Sequence, residues 1–125
     1  MVPGYLLLTP KQHIWRYQHI ADKVHKSLTT VTKLAMQAVS QIDAVENVYL
    51  LSFGEITKHF HYHIFPRYQW MLELDDVYRN GQLDGARLFS EVSKKYTVKT
   101  AEMEQRIAET AALLRGGFQT MLKAD

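Results

Sequence analysis

The sequence predicts a single α+β domain, in which an antiparallel sheet packs against one long helix and further helices follow. Three observations lead to this fold class. Short apolar runs bounded by Gly, Pro and Asn have the length of strands, and they fall in the first 67 residues. A stretch with helical periodicity separates the first two runs, and two more helical patterns occupy the second half. The length of 125 residues matches the usual size of one domain. We therefore predict one domain over residues 1–125, with a core at about residues 3–67 and a helical C-terminal extension at about residues 71–125.

Three segments are predicted to form the sheet. Residues 1–9 contain a short apolar run flanked by Gly4 and Pro10, which is too short for a helix. Residues 48–53 and 59–65 are rich in β-branched and aromatic side chains, and the few residues between them favour an antiparallel hairpin. Pro66 is expected to end the third strand, because proline cannot donate a ladder hydrogen bond.

Three helices are predicted. The first covers residues 27–43 and starts at Ser27 as N-cap. An Asn80-Gly81 turn precedes the second, at residues 84–96, and the third covers residues 100–122 with Thr100 as its cap. Gly116-Gly117 is expected to kink or shorten this last helix. Its apolar stripe consists of Met103, Ile107, Ala111, Leu114, Phe118 and Met121.

The composition excludes several functional classes. With 46% hydrophobic residues, the chain is not intrinsically disordered, and a net charge of +2 is too small for a sequence-independent nucleic-acid binder. The absence of cysteine excludes disulfide scaffolds, thiolate zinc sites and cysteine nucleophiles. The apolar runs are too short to cross a membrane, and the N-terminus does not read as a signal peptide. We expect a cytoplasmic protein that acts on neither nucleic acid nor membrane.

The run His59-Phe60-His61-Tyr62-His63 places three imidazoles at alternate positions. On a strand these side chains share one face, and the residues between them face the core. Three interpretations are open. The histidines are solvent-facing without a role, or they bind zinc together with His13 or Glu55, or one of them attacks phosphorus while the others orient it and move protons.

Residues 59–67 resemble the signature of the histidine-triad (HIT) family, in which three histidines alternate with apolar residues and Pro-Arg often follows. The segment from Pro3-Gly4 to Pro10-Lys11 and His13 is similar to the family's strand that ends in Pro-Lys and a fourth histidine. The resemblance covers about residues 3–67. It implies a HIT-like α+β fold, a homodimer, and a hydrolase that acts at the α-phosphate of a nucleotide. Such an enzyme is a phosphoramidase or a dinucleoside polyphosphate hydrolase.

The resemblance also implies roles for individual residues. His61 would attack phosphorus and carry a nucleotidyl group, and His59 and His13 would support its ring. Phosphate would contact His63, Thr57 and Arg67. No cofactor is required, although zinc or another divalent metal can be accommodated at the histidine face. The alternative function is a non-catalytic nucleotide- or zinc-binding HIT-like protein.

The resemblance is imperfect at two places. The family usually has Gly-Gln-Ser or Gly-Gln-Thr before the histidines, whereas this chain has Gly54-Glu55-Ile56-Thr57. The residues that precede the first strand in the family, and help to form the nucleoside pocket there, are nearly absent. We therefore expect either that the C-terminal half closes the pocket or that the substrate differs. Its candidate aromatic residues are Tyr68, Trp70, Tyr78 and Tyr96, for which core or interface packing is the favoured role.

Overall fold

The computed structural model describes residues 2–96 and 100–124, except for the side chains of residues 118 and 120–124. Met1 of the predicted first strand, and the Phe118 and Met121 side chains of the predicted stripe, lie outside this set. The predicted α+β class is confirmed, because antiparallel strands occur together with long helices.

The main sheet has three antiparallel strands in the order β1-β3-β2, so the strand that follows the histidine-rich segment is central. The predicted hairpin between the second and third strands is confirmed. The strands are β1 at Leu6–Leu8, β2 at Val45–Leu51 and β3 at Tyr62–Tyr68.

Both ends of β3 differ from the prediction. The strand starts at Tyr62 rather than His59, because its pairing with β1 and with β2 begins only at Tyr62 and His63. It also continues through Pro66, which pairs with Val48 of β2. On the other side of β3, pairing with β1 stops at Ile64, so no neighbouring strand requires an N–H from position 66.

Helix α1 extends over Asp22–Ser40 and starts five residues before the predicted Ser27. Its N-cap is Ala21, which offers no side-chain cap, and Ser27 lies inside the helix. Tertiary packing explains the earlier start, because Val24 in the added first turn packs against a buried cluster that includes Leu28 and Phe60. Further along, α1 covers one face of the sheet, where Ala35, Ala38 and Val39 pack against Ile64.

The C-terminal half begins with 3₁₀ turns and a small hairpin. Strands β4 (Tyr78–Arg79) and β5 (Gln82–Leu83) are joined by Asn80 and Gly81, both with positive φ, as the Asn-Gly signal predicts. The helix α2 (Gly85–Lys95) follows.

Both C-terminal helices start as predicted. The Asp84 side chain accepts a hydrogen bond from the Arg87 backbone N–H at 3.0 Å and caps α2. Helix α3 covers Ala101–Ala124, and Thr100 Oγ1 accepts from the Met103 backbone N–H at 3.2 Å. Gly116-Gly117 does not interrupt it, contrary to the prediction.

The sheet is buried on both faces. Opposite α1, the Phe65 side chain is fully buried with Met71 and with Leu88 and Val92 of α2. Side chains alternate along a strand, so His63 lies on the same face as Phe65. The alternation predicted that only the opposite face of the strand meets the core. The structure differs, because the histidine face lies at the edge of a core that α2 helps to build. Among the described residues no helix is long and apolar enough to cross a membrane.

Candidate active site

His61 and His63 lie together at the start of the central strand. Their Nε2 atoms are 3.1 Å apart and their ring centroids 4.7 Å apart. His63 is fixed by its pairing with Leu7 of β1 and Leu51 of β2, whereas His61 comes just before the strand. Both rings are partly buried. The structure thus brings two of the three triad histidines into direct contact.

The segment before β3 is held by side-chain and loop hydrogen bonds instead of a strand ladder. Thr9 Oγ1 donates to the carbonyl oxygen of Phe60 at 2.8 Å, and the Phe60 N–H donates to the carbonyl oxygen of Ile14 at 2.6 Å. Ser52 Oγ donates to the carbonyl oxygen of His61 at 2.8 Å. These bonds satisfy backbone groups that strand pairing would otherwise satisfy. They also set the direction in which the His61 side chain points.

His59 and His13 form a second pair, with ring centroids 4.8 Å apart. His59 Nε2 lies 3.0 Å from the carbonyl oxygen of Pro10 and 3.2 Å from that of Gln12. A carbonyl oxygen only accepts, so Nε2 of His59 carries a proton. The described residues show no ring contact between His13 and His61. The ring contact of His13 within the site is therefore with His59.

The hydrogen bonds of His61 define which of its nitrogens carries the proton. Its Nδ1 lies 2.9 Å from the carbonyl oxygen of His59, and Nδ1 must donate because the carbonyl accepts. In the neutral ring the lone pair is then on Nε2. The nitrogen that can act as a nucleophile is therefore the one beside His63.

Tyr5 determines the protonation of His63. Its hydroxyl lies 2.5 Å from His63 Nδ1, and its ring stacks beside the imidazole with centroids 5.9 Å apart. Burial, and then the charge of His61, lower the pKa of His63, whereas burial raises the pKa of Tyr5. At neutral pH the phenol therefore donates to Nδ1, and the single proton of His63 is on Nε2, from which it donates to His61.

A cavity of about 720 Å³ opens in front of His61 and His63, and we call it the histidine cavity. Residues 53–57, including Thr57, form one wall. Helix α2 forms the opposite wall, where the Phe89 ring lies 5.3 Å from the His63 ring. The other α2 residues in this wall are Ala86, Ser90, Ser93 and Lys94. A volume of this size fits a small-molecule ligand, for which sites hold about 300–1,000 Å³.

A family model described as the HIT domain matches residues 1–70 of this chain, which is more than half of its length. The chain belongs to the HIT family. No curated protein matches it as a relative. The match ends before the C-terminal helices, so the α2 wall of the cavity lies outside the part of this HIT protein that the family model matches.

Arg67 does not line the histidine cavity, although the resemblance implied a phosphate contact. Its Nη1 donates to Oε2 of Glu46 in strand β2 at 3.4 Å. Because a strand rises about 3.3 Å per residue, position 67 lies well beyond His63 along β3. For Arg67 the sequence left open a phosphate contact or a role at the strand end, and the structure gives it an ion pair.

Two residues that contact His63, Tyr5 and the cavity residue Phe89, had no local signal in the sequence. Tyr5 is 58 positions from His63, and Phe89 lies in a helix that was predicted without a role at the site.

The four candidate aromatics pack elsewhere: Tyr68 OH donates to the carbonyl oxygen of Pro3, Tyr78 OH to that of Leu72, and Trp70 contacts Tyr96. The C-terminal half does line the cavity, and its aromatic residue there is Phe89. Within residues 2–96 and 100–124, no group of three or more His, Asp or Glu side chains is arranged to hold a metal ion.

Replacing Tyr5 with phenylalanine should reduce turnover about tenfold, the cost of losing one hydrogen bond to a buried polar group. The ring packing is retained, but His63 Nδ1 loses its donor and the proton can move to Nδ1. We would measure the ¹⁵N chemical shifts of the histidine rings, which report the tautomer, together with the rate. Tyr78→Phe is the matched control, because its hydroxyl bonds away from the site. An unchanged His63 tautomer in the Tyr5→Phe protein would contradict the assigned role.

Proposed function

We propose that this HIT protein is a nucleotide hydrolase that acts at the α-phosphate through a nucleotidyl-histidine intermediate on His61. Its substrates would be nucleoside phosphoramidates, phosphate esters or phosphoanhydrides. The observation that carries the proposal is the Nδ1 hydrogen bond of His61 to the His59 carbonyl oxygen, which leaves a lone pair on Nε2 at the cavity.

In the first step the His61 Nε2 lone pair forms a bond to the α-phosphorus. The bond from phosphorus to the leaving atom breaks, and its electron pair departs with the leaving group, which takes up a proton from solvent. In the second step water attacks phosphorus, the P–N bond breaks, and its electron pair returns to Nε2. The proton of the attacking water goes to solvent, and a nucleoside monophosphate is released. Two such displacements are ordinary covalent catalysis.

The neighbouring residues support these steps. When His61 Nε2 bonds to phosphorus, the Nε2–H of His63 is no longer engaged with it and can donate to a phosphate oxygen. The His59 carbonyl oxygen accepts the hydrogen bond from His61 Nδ1–H throughout and stabilises the positive charge that His61 gains. Thr57 supplies a hydroxyl in the cavity wall, and the Phe89 ring offers an aromatic surface for a base.

Incubation with a nucleoside phosphoramidate, followed by a quench without acid and intact mass measurement, tests the proposal. The expected result is a mass gain of one nucleotidyl group, mapped to His61, with release of nucleoside monophosphate. Nucleotide binding without adduct or product would instead indicate a non-catalytic binder, for which the Glu55 carboxylate in the cavity wall supplies a reason, since it repels phosphate. Failure with several nucleotides, together with bound zinc, would indicate a metal-binding protein.

A further inference from the structure

A second cleft of about 450 Å³ adjoins the histidine cavity. We call it the Trp15 cleft. It is lined by residues 15–18 and 52–55 together with Lys58 and Phe60, and it shares residues 53–55 with the histidine cavity. Its side chains include two cations, Arg16 and Lys58, whereas the largely apolar lining of the histidine cavity includes one, Lys94, which forms an ion pair with Glu91. The two neighbouring sites therefore suit different chemical groups.

The Trp15 indole holds both cations. The guanidinium carbon of Arg16 lies 4.6 Å from the ring centroid, and Lys58 Nζ lies 4.8 Å from it. Cation–π attraction offsets part of the repulsion between two like charges placed against one ring. Among the described residues neither Arg16 nor Lys58 forms an ion pair with an acidic side chain. Glu55 also lines the cleft, so the cleft carries one positive charge in excess.

Gly54 lies between the two sites and lines both. Its φ of +69° favours glycine, and no heavy atom lies within 4 Å of the position that a Cβ would occupy. At this residue no side chain separates the two sites. A ligand bound at His61 can extend across Gly54 towards the two cations.

We propose that the Trp15 cleft binds the leaving group of the substrate, and that it selects leaving groups that carry phosphate. The inference rests on the proposed function, because it assigns the cleft to the group that departs when His61 bonds to phosphorus. Arg16 and Lys58 neutralise the phosphate charge, and Trp15 keeps the two cations side by side. A neutral amine leaving group has no electrostatic attraction to these two cations.

Binding of inorganic tripolyphosphate tests the cleft without requiring turnover. The Trp70→Phe protein has Trp15 as its single tryptophan, and Trp70 packs against Tyr96 away from the cleft. Tripolyphosphate should change Trp15 fluorescence, and the double variant Arg16→Glu/Lys58→Glu should weaken its binding at least about tenfold, because charged hydrogen bonds are lost. ADP is titrated in parallel, and tighter binding of ADP than of tripolyphosphate would indicate that the attached nucleoside contributes. Calorimetry on the unaltered chain checks the affinity.

The matched control is Lys23→Glu/Lys26→Glu, which makes the same change in net charge at two exposed positions of α1. This control should weaken binding less than about threefold, because separated surface charges are screened by salt. For turnover, the cleft variant should raise the KM of a nucleoside 5′-triphosphate, which has a pyrophosphate leaving group, about tenfold or more. Its kcat/KM for a phosphoramidate with a neutral amine should stay within a factor of about two.

Two results would overturn the inference: equal effects of both double variants on tripolyphosphate binding, or unchanged Trp15 fluorescence at saturating tripolyphosphate. If no substrate is turned over by any protein, the proposed hydrolase function fails. The tripolyphosphate titration still decides whether the cleft binds phosphate, so the two failures are distinguishable.

Discussion

Replacing His61 with alanine is expected to abolish turnover of a nucleoside phosphoramidate, lowering the rate by at least about 10³-fold, as removal of a nucleophile does in other covalent enzymes. The imidazole bears the Nε2 lone pair to which phosphorus would bond. The other imidazole in the cavity wall, His63, offers no free lone pair, because Tyr5 engages its Nδ1 and its proton is on Nε2. Release of nucleoside monophosphate, followed by chromatography, measures the effect, and the intact mass of the variant should show no adduct.

His19→Ala is the matched control for this prediction. It removes an exposed imidazole from the 3₁₀ turn at Tyr17–His19, outside the histidine cavity, and should leave the rate unchanged. Nucleotide affinity measured in parallel separates loss of chemistry from loss of binding. A His61→Ala protein that keeps a tenth or more of the wild-type rate would exclude His61 as the nucleophile.

Replacing Phe65 with alanine should lower the free energy of unfolding by about 3–5 kcal/mol, the cost of removing a buried phenyl group and leaving a cavity. Phe65 is fully buried and contacts the rings of Tyr5, Tyr49 and Phe89, so the loss affects the sheet and the α2 wall together. Such a loss is a large part of the total of about 5–15 kcal/mol that is typical of a domain. Urea unfolding followed by circular dichroism measures it.

Two further variants make this stability prediction decisive. Phe65→Leu keeps most of the buried volume and should cost less than about 1.5 kcal/mol. Leu113→Ala removes a side chain that is 77% exposed and should change stability by no more than about 0.5 kcal/mol. Equal losses in Phe65→Ala and Leu113→Ala would contradict the central position of Phe65 in the core.

Local signals predicted those parts of the fold that local interactions determine. Asp84 and Thr100 cap their helices through their own side chains, and Asn80-Gly81 adopts the positive φ values that its hairpin requires. The predicted start of α1 was wrong because the helix has no capping side chain and its first turn depends instead on the packing of Val24 against the Leu28 cluster. The predicted end of β3 was wrong because the effect of Pro66 depends on where the neighbouring strand β1 stops.

The candidate site likewise has residues that the sequence predicted and residues that it did not. The alternation of His61 and His63 predicted two rings on one side, and they are in contact even though the strand begins between them. Tyr5 and Phe89 reach His63 only after β1 pairs with β3 and α2 packs on the sheet, so no spacing in the sequence indicates them. The ion pair of Arg67 with Glu46 likewise follows from the β2–β3 register.

The α2 wall has a consequence for how this protein can diversify. The imidazoles come from one short segment before and within β3, whereas Phe89 and its helix neighbours come from a stretch more than twenty residues later. Exposed positions of that helix can change without disturbing His61 Nε2, the nitrogen that we propose as the nucleophile. Substitutions in α2 can therefore change which ligand binds without changing the proposed reaction at His61.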